Sequence, residues 1–289
     1  MEDRFKVTKR VGTFGIIGNI FLLAIKATVG FASKSQAMIA DSVNSAGDIF
    51  ASLMTFIGNK IASAPKDEDH NFGHGKAEYL FSLFIAISMI LVSVKMIIDA
   101  IMSLFNGNEI IFSWWLVIIC IVTIIVKLVL FIYTHLMYKK YNNLLIEASM
   151  EDHRNDCIIT TFTLISTFLS LKGINWLDSV VGIGISAWIC KTGIEIFMES
   201  YNILMDVSID EETKDIILDL VHGYKEVKAI NGISSTPVGY QYIIFLTIAV
   251  DGNMTTFDSH TLADNLEKNI AGLDKVYKAI VHVEPLLKK

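Results

Sequence analysis

The sequence lacks the features that define several protein classes. Its three cysteines (Cys120, Cys157 and Cys190) lie scattered through apolar segments without paired spacing, so they indicate small buried residues, not disulfides or a zinc cluster. The net charge is −6, and no segment is basic enough to indicate binding to nucleic acid. We find no cleavable signal peptide, low-complexity segment or convincing internal repeat. No nucleophile–base pair, cofactor loop or hydrolytic metal motif is visible, so we expect that the protein is not an enzyme.

Apolar residues, in contrast, are abundant. They make up 53% of the 289 residues, which is above the range of a typical soluble chain. Six apolar runs are long enough to cross roughly 30 Å of hydrocarbon as helices. We place these spans at 11–32, 37–62, 79–105, 112–137, 144–171 and 176–204. The second and fifth runs carry polar residues near their centres, so hydropathy alone underrates them.

Positive charge near the ends of the runs predicts their orientation. One side of the membrane would carry only Lys34 and Lys172. The opposite side would carry Arg4, Lys6, Lys9, Arg10, Lys60, Lys66, Lys76, Lys139 and Lys140. We therefore expect a multi-pass protein of the inner membrane of a bacterial-type cell, in contact with the lipid bilayer, with both termini in the cytoplasm.

The composition changes after Asp206 to that of a small soluble domain. An amphipathic helix is predicted from Asp210 to about Tyr224, with acids in its first turn. Two strands (227–236 and 241–250), a second helix (257–271) and a third strand (276–283) follow. The predicted fold is thus an all-α six-helix transmembrane bundle at 1–206, followed by a small cytoplasmic α+β (αββαβ) domain at 207–289.

Two pairs of polar residues recur at helical spacing within the predicted spans. Asn44 and Asp48 are four residues apart in the second span, and Asp152 and Asp156 are four apart in the fifth, so each pair shares one helix face. The two spans run in opposite directions and place Asp48 and Asp156 near their centres. If the helices are neighbours, these four side chains can enclose one cation.

Three carboxylates in hydrocarbon are costly, and such residues usually have a function. A metal or proton site would compensate them, whereas the alternative is a set of interhelical hydrogen bonds. One amide and three carboxylates form a hard oxygen set suited to Mn²⁺, Mg²⁺ or Ca²⁺, while zinc usually has nitrogen or sulfur ligands. His153 lies about 100° round the helix from Asp152, so we expect it to support the ligands or to pack between helices, not to bind the ion. We expect Asp41, three residues before Asn44, to be an acid outside the ligand set or a proton acceptor, with direct binding as the alternative.

Three motifs together carry a family resemblance. They are Ala40-Asp-x-x-Asn-x-x-x-Asp48, Asp152-x-x-x-Asp156 and the loop Asp67-Glu-Asp-His-Asn-Phe-Gly-His-Gly-Lys-Ala-Glu78. The chain resembles the cation diffusion facilitators, a family of six-span, proton-coupled exporters of divalent metals. Zinc-moving members typically have histidine in one or both leading positions, which here are Asn44 and Asp152. This departure resembles the manganese-exporting branch.

The resemblance also implies roles for the loop between the second and third spans. Asp67, His70 and His74 match a loop metal site of some relatives, and the alternative is a polar surface loop whose glycines fix the turn. Lys76 matches a lysine that pairs with an aspartate after the sixth span, here Asp206. Such a charge pair would organise a homodimer, and the alternative is a snorkelling lysine beside a helix-end acid.

In relatives, the last domain resembles a metallochaperone, dimerises and often holds two metal ions. His260, His282 and Glu284 match three of its ligand positions, whereas Ile230 and Leu246 stand where histidines are usual and cannot coordinate. A single regulatory metal site and plain surface histidines both stay open here.

The resemblance implies a Mn²⁺/H⁺ antiporter in which the metal ion is the substrate. The alternatives are export of Fe²⁺, Zn²⁺ or Cd²⁺, a passive divalent-cation channel, or a membrane metal sensor.

Overall fold

The computed structural model describes residues 2–33, 36–106, 114–170 and 176–286. Its first part consists of six long helices: α1 (Glu2–Ser33), α2 (Gln36–Ala62), α3 (Ala77–Asn106), α4 (Trp114–Tyr141), α5 (Leu144–Ser170) and α6 (Trp176–Leu204). Among the described residues, the segments Arg4–Val29, Ala77–Met102 and Trp114–Tyr141 are long and apolar enough to cross a membrane by length and composition. The central polar residues of α2 and α5 lower the hydropathy of those two helices.

Helix α1 begins at Glu2, well before the predicted span at residue 11. The hydropathy pattern marks only the apolar part of this helix, and the polar part continues because Arg4 is held by a partner. Its guanidinium donates two hydrogen bonds of 2.8 Å to the Glu78 carboxylate at the start of α3. The two side chains are 10% and 3% exposed, so this is a buried, bidentate ion pair.

Small residues on α1 allow a close approach to α2. A Cβ atom on Gly12 would lie 2.9 Å from the backbone nitrogen of Phe56, and one on Gly15 would lie 2.6 Å from Ser52 Oγ. Both distances are shorter than a Cβ atom tolerates. At Gly12 the obstacle is backbone, so glycine is required there, whereas at Gly15 the Ser52 hydroxyl would have to turn away. Close helix contacts of this kind are typical of membrane bundles, in which packing drives association.

The second part of the chain is the αββαβ domain. It contains α7 (Glu211–His222), β1 (Ala229–Val238), β2 (Gln241–Asp251), α8 (Thr256–Ala271) and β3 (Val276–Leu286). The sheet has the order β1-β2-β3, in which β1 is antiparallel and β3 is parallel to β2. Its core packs α7 and α8 against β2 through Ile217, Val221, Ile244, Leu246, Ile248, Leu266 and Ile270. The predicted fold class is therefore confirmed.

By their contacts, the residues form two compact units. The first contains residues 1–63 and 77–201, and the second contains residues 64–76 and 202–289. The loop 64–76 thus belongs with the αββαβ domain, although it lies between α2 and α3 in the sequence. A Cβ atom on Gly75 would lie 2.9 Å from the Cα atom of Gly239, which has a φ angle of +63°. Both positions favour glycine, because the two backbones touch and one of them turns through the left-handed region.

Candidate metal centres

Asp48 of α2 and Asp156 of α5 both contact the ammonium group of Lys127. The Nζ atom of Lys127, in the middle of α4, lies 2.9 Å from Asp48 Oδ2 and also donates to Asp156 Oδ2. The lysine side chain is 1% exposed, and the two carboxylates are 11% and 15% exposed. The two acid-bearing helices are therefore neighbours at this point, and the acids converge on one buried cation.

Hydrogen bonds between helices hold Asp48 in this place. Asn19 Nδ2 of α1 donates to the backbone oxygen of Asp48 at 2.9 Å and to Ser52 Oγ at 3.0 Å. One turn further along α2, Thr55 Oγ1 and Ser149 Oγ of α5 share a hydrogen bond of 2.6 Å. Asn19 and Thr55 are both fully buried, so these bonds form away from water and orient the two helices at the acids.

Asp152 and His153 lie beside this group. Asp152, His153 and Asp156 each offer a ligand atom, and these atoms all lie within 4.8 Å of one another. Within the described part of the chain, Asp152 Oδ2 is buried without a hydrogen-bond partner, and the nearest ring nitrogen of His153 is 3.9 Å away. An unsatisfied buried carboxylate oxygen is costly, and a cation at this place would satisfy it. His153 is closer to the acids than its angle round the helix suggested.

The remaining residues predicted for this centre are Asp41 and Asn44. Their side chains lie outside the described residues, so their roles stay predictions.

A second cluster lies in the loop 64–76, where ligand atoms of Asp67, His70 and His74 also come within 4.8 Å of one another. Asp67 Oδ1 accepts a hydrogen bond from the backbone N–H of His70 at 2.6 Å and lies 3.0 Å from His70 Nδ1. Asp67 Oδ2 is 3.4 Å from His74 Nε2. The backbone N–H of His70, followed by the two imidazoles, lowers the pKa of Asp67, so this carboxylate stays ionised and able to bind a metal.

The backbone fixes the orientation of one imidazole in this loop. His74 Nδ1 lies 3.2 Å from the carbonyl oxygen of Pro65, which can only accept a hydrogen bond. With its proton on Nδ1 the neutral ring would donate to this oxygen, and Nε2, 3.4 Å from Asp67 Oδ2, would be free to bind a metal ion. Metal-ligating histidines commonly donate their second nitrogen in this way. The turn is completed by Gly73, whose φ angle is +79°.

Lys76 and Asp206 form the predicted charge pair within the second unit. Lys76 Nζ lies 2.7 Å from Asp206 Oδ1, which also accepts a hydrogen bond of 2.9 Å from Thr236 Oγ1. The side chains of Lys76 and Asp206 are 40% and 56% exposed. The hydrogen bond from Lys76, together with that from Thr236, lowers the pKa of Asp206. The pair connects the loop to the start of the C-terminal domain.

The three candidate ligands of the C-terminal domain do not form one cluster in a single chain. His282 Nε2 lies 3.7 Å from Glu284 Oε1, but His260 lies next to Asp264 instead, at 3.8 Å. Glu284 is also bound by Asn231 Nδ2 at 2.6 Å. Leu246 is 1% exposed in the core, and Ile230 packs against that core. A metal site formed by His260, His282 and Glu284 stays a prediction.

The sequence analysis did not predict the pairing of Lys127 with Asp48 and Asp156. The signal was present, because this lysine lies thirteen residues after Trp114 and fourteen before Tyr141, in a helix with no other Asp, Glu, Lys or Arg before Lys139. A lysine in such a place needs a buried counter-charge. The acids of the second and fifth spans were available as partners, so the pairing was open to inference.

Comparison with known proteins identifies the family to which the chain belongs. A family model described as the cation efflux transmembrane domain matches residues 13–205, and one for the cytoplasmic domain of cation efflux proteins matches residues 209–286. The manganese efflux system proteins MneP and MneS of Bacillus subtilis are each 26% identical to the chain. The alignments cover 98% of both chains for MneP and 99% of both for MneS. The magnetosome protein MamB of a Magnetospira species is 27% identical, over 93% of this chain and 92% of its own.

The two family matches cover both parts of the chain in the same order as the helical bundle and the αββαβ domain. The matches describe a transporter, not an enzyme, that crosses the membrane several times and has a cytoplasmic C-terminal domain. The chain therefore belongs to the cation efflux family, the cation diffusion facilitators, and is a divalent-cation efflux transporter.

Proposed function

We propose that the protein exports Mn²⁺ from the cytoplasm in exchange for protons. The metal would bind at Asn44, Asp48, Asp152 and Asp156, midway along α2 and α5. The observation that carries this proposal is the convergence of Asp48 and Asp156, from two helices, on one buried cation. Beside them lies Asp152, whose buried Oδ2 atom has no hydrogen-bond partner among the described residues.

The donor atoms favour manganese. Carboxylate and amide oxygens suit Mn²⁺ and other hard cations, and two relatives over the full length carry manganese efflux in their names. His153 supports a second candidate, because one imidazole nitrogen lies within 4.8 Å of the ligand atoms of Asp152 and Asp156. A nitrogen donor favours Fe²⁺ or Zn²⁺ relative to an all-oxygen set. Export of Fe²⁺, Zn²⁺ or Cd²⁺ is therefore the alternative.

Proton exchange follows from the chemistry of carboxylates. A carboxylate must be deprotonated to bind a metal ion, so protonation from the outer side promotes release. Alternate exposure of one central site to the two sides of the membrane is the usual mechanism of transporters with such sites. In our proposal the protein works as a homodimer in a bacterial-type inner membrane. The Lys76–Asp206 pair would contribute to the organisation of that dimer.

Flux measurements on purified protein test the proposal. In proteoliposomes with an imposed pH gradient, the wild type should move Mn²⁺ at a saturable rate that depends on the gradient. Asp156→Asn should lower the rate about 100-fold or more, because even residues that only support metal ligands matter 10–100-fold. Asp99→Asn, which makes the same change on an exposed part of α3, is the matched control. Equal rates for Asp156→Asn and wild type would refute the assigned site.

The same vesicles separate the alternatives. A panel of Mn²⁺, Fe²⁺, Zn²⁺, Cd²⁺ and Co²⁺ gives the order of selectivity, and the double variant Asn44→His with Asp152→His should shift it towards Zn²⁺. Flux that neither saturates nor responds to pH would indicate a passive channel. Absence of flux from purified, metal-binding protein would indicate a sensor.

We also propose that the loop cluster of Asp67, His70 and His74 binds a regulatory metal ion. Its two imidazoles and one carboxylate form a set typical of Zn²⁺, and their exposure allows exchange with the cytoplasm. A weaker regulatory site would include His260, His282 and Glu284. Titration of Zn²⁺ into full-length protein and its His74→Ala variant should show the loss of one site.

A further inference from the structure

We propose that Lys127 is an internal counter-ion that occupies the transport site when no metal is bound, and that the substrate cation must displace it. This inference rests on the proposed function of Asp48 and Asp156 as ligands. It concerns a residue on α4, a helix that contributes none of the four proposed ligands. Lys127 would thereby set the affinity of the site for its substrate.

The first step is stereochemical. Lys127 Nζ lies between Asp48 Oδ2, at 2.9 Å, and Asp156 Oδ2, which it also contacts. A divalent cation bound by hard oxygen ligands lies about 2.1–2.6 Å from each of them. A metal ion that used both oxygens would occupy the volume that the ammonium now fills. The metal and the ammonium therefore exclude each other from this position.

The second step concerns charge. Asp48, Asp152 and Asp156 place three carboxylates around one buried point, and leaving a buried charge unpaired is strongly destabilising. Lys127 compensates two of these acids directly. The metal-free site is thus held together by a cation that belongs to the protein itself.

The third step concerns the transport cycle. An exporter must return to the cytoplasmic side after it has released its metal ion, and at that stage its ligands need compensation. A lysine on a flexible four-carbon stem can leave when a divalent ion enters and return when that ion departs. The competition weakens metal binding at equilibrium, and the weaker binding permits release. Substitution of this lysine should therefore change both the affinity for the metal ion and the rate of turnover.

The test is Mn²⁺ titration of purified full-length protein by calorimetry at constant pH. All variants carry His70→Ala and His74→Ala, so that the loop cluster does not contribute to the signal. Lys127→Met keeps the length of the side chain and removes its charge. Lys127→Arg keeps the charge and adds bidentate hydrogen bonding to carboxylates, so it should be harder to displace.

Opposite effects of these two substitutions are expected. Lys127→Met should lower the Kd for Mn²⁺ about tenfold or more, because coupling energies of close charge pairs commonly reach that size. Lys127→Arg should raise the Kd. A purely structural role would weaken binding in both variants, and that result, like an unchanged Kd in both, would overturn the inference. Lys127→Met should also slow turnover in vesicles even though it binds more tightly.

Two controls make failures distinguishable. Lys95→Met removes an exposed positive charge from α3, and a similar tightening there would reduce the effect to net charge and overturn the inference. Asp156→Asn should abolish the titrated site. If it does not, the proposed ligand set fails and the role of Lys127 fails with it. If it does while both Lys127 variants bind like the parent, only the counter-ion inference fails.

The expected cost of removing Lys127 is itself informative. Lys127→Met leaves the carboxylates uncompensated, so the metal-free variant should melt at a lower temperature and gain more from added Mn²⁺ than the parent protein does. If Lys127→Met is unfolded with and without Mn²⁺, the Kd of Lys127→Arg for Mn²⁺ tests the inference instead. A lower Kd in Lys127→Arg than in the parent would then overturn the inference.

Discussion

The two candidate metal-binding clusters of this protein differ in the burial of their charged side chains. In the helical unit, Asp48, Asp156 and Lys127 are almost completely buried, and each charge is held by an opposite one. In the loop cluster of the second unit, Asp67 and His70 are about half exposed, at 51% and 55%. The first group loses its hydration on folding, whereas the second keeps much of it.

This difference predicts how each group behaves without metal. Buried carboxylates require a partner at every stage, and this requirement accounts for a lysine at the centre of α4. The exposed loop cluster can be empty at little cost, because water replaces the missing ligand. A transport site must bind and release within one cycle, while a regulatory site need only follow the cytoplasmic concentration of its metal. The four predictions below test the contrast between buried and exposed charges.

The largest effect is expected from reversal of the buried positive charge. Lys127→Glu places four acids around one point and breaks two ion pairs, and loss of a single buried partner costs about 3–5 kcal/mol. We expect little folded protein, measured as the monodisperse fraction after extraction in detergent. Lys191→Glu reverses a lysine that is 74% exposed and should leave this fraction unchanged. Normal yield of Lys127→Glu would contradict the buried arrangement.

The next effect compares two ion pairs outside the transport site. Arg4→Met leaves the buried Glu78 carboxylate without its guanidinium and should lower the free energy of unfolding by about 3 kcal/mol. Lys76→Met removes an exposed pair with Asp206 and should cost about 1 kcal/mol or less. Denaturant unfolding in detergent measures both values. Equal costs would show that burial does not control the strength of these pairs.

A smaller effect is expected from pH, acting on the loop. The pKa of Asp206 is lowered by Lys76 and Thr236, so its stabilising contribution is complete above the unfolded value of about 3.9 and is lost as the pH falls through the lower folded value. Hydrogen exchange of residues 64–76, corrected for intrinsic rates, should therefore stay slow to about pH 4 and accelerate below it. In Asp206→Asn the exchange should be faster than wild type at neutral pH. Unchanged hydrogen exchange in Asp206→Asn would show that the Lys76–Asp206 pair does not stabilise the loop.

Almost no effect on Mn²⁺ flux is expected from a change in the loop cluster itself. His74→Ala removes the imidazole whose Nε2 atom points to Asp67, and it should weaken Zn²⁺ binding at the loop about 10–100-fold. The rate of Mn²⁺ flux without added Zn²⁺ should change by less than about twofold, because the loop lies outside the transport site. Asn71→Ala, which changes a neighbouring loop residue, serves as control. A collapse of flux in His74→Ala alone would mean that the loop takes part in transport.

Much of the fold could be predicted from local patterns. The αββαβ order follows from alternation of apolar residues and from caps such as Asp210, whose side chain accepts a hydrogen bond from the backbone of Thr213. The acid pairs at i,i+4 spacing were visible for the same reason, since helical geometry alone puts them on one face. The exclusion of Leu246 as a ligand was equally local, because a leucine side chain has no donor atom.

The parts that could not be predicted depend on contacts between distant segments. Hydropathy treats Lys127 as one exception within an apolar run, and only the hydrogen bonds that it donates to α2 and α5 reveal its two partners. The polar start of α1 gives no sign of Arg4 reaching Glu78, 74 residues away. His153 was positioned by its angle on an ideal helix, which says nothing about the side-chain torsions that bring a ring nitrogen towards Asp152.

The membership of residues 64–76 in the second unit has a consequence for protein engineering. The polypeptide crosses between the units three times, at residues 63–64, 76–77 and 201–202. A stop codon after Asp206 would remove Gly239 and Thr236, the surfaces on which Gly75 and Asp206 rest. The truncation would leave the loop 64–76, which joins α2 to α3, without the domain on which it packs. Deletion of the C-terminal domain would therefore have two effects at once, loss of the domain and loss of the contacts of the loop 64–76. Point substitutions separate these two effects.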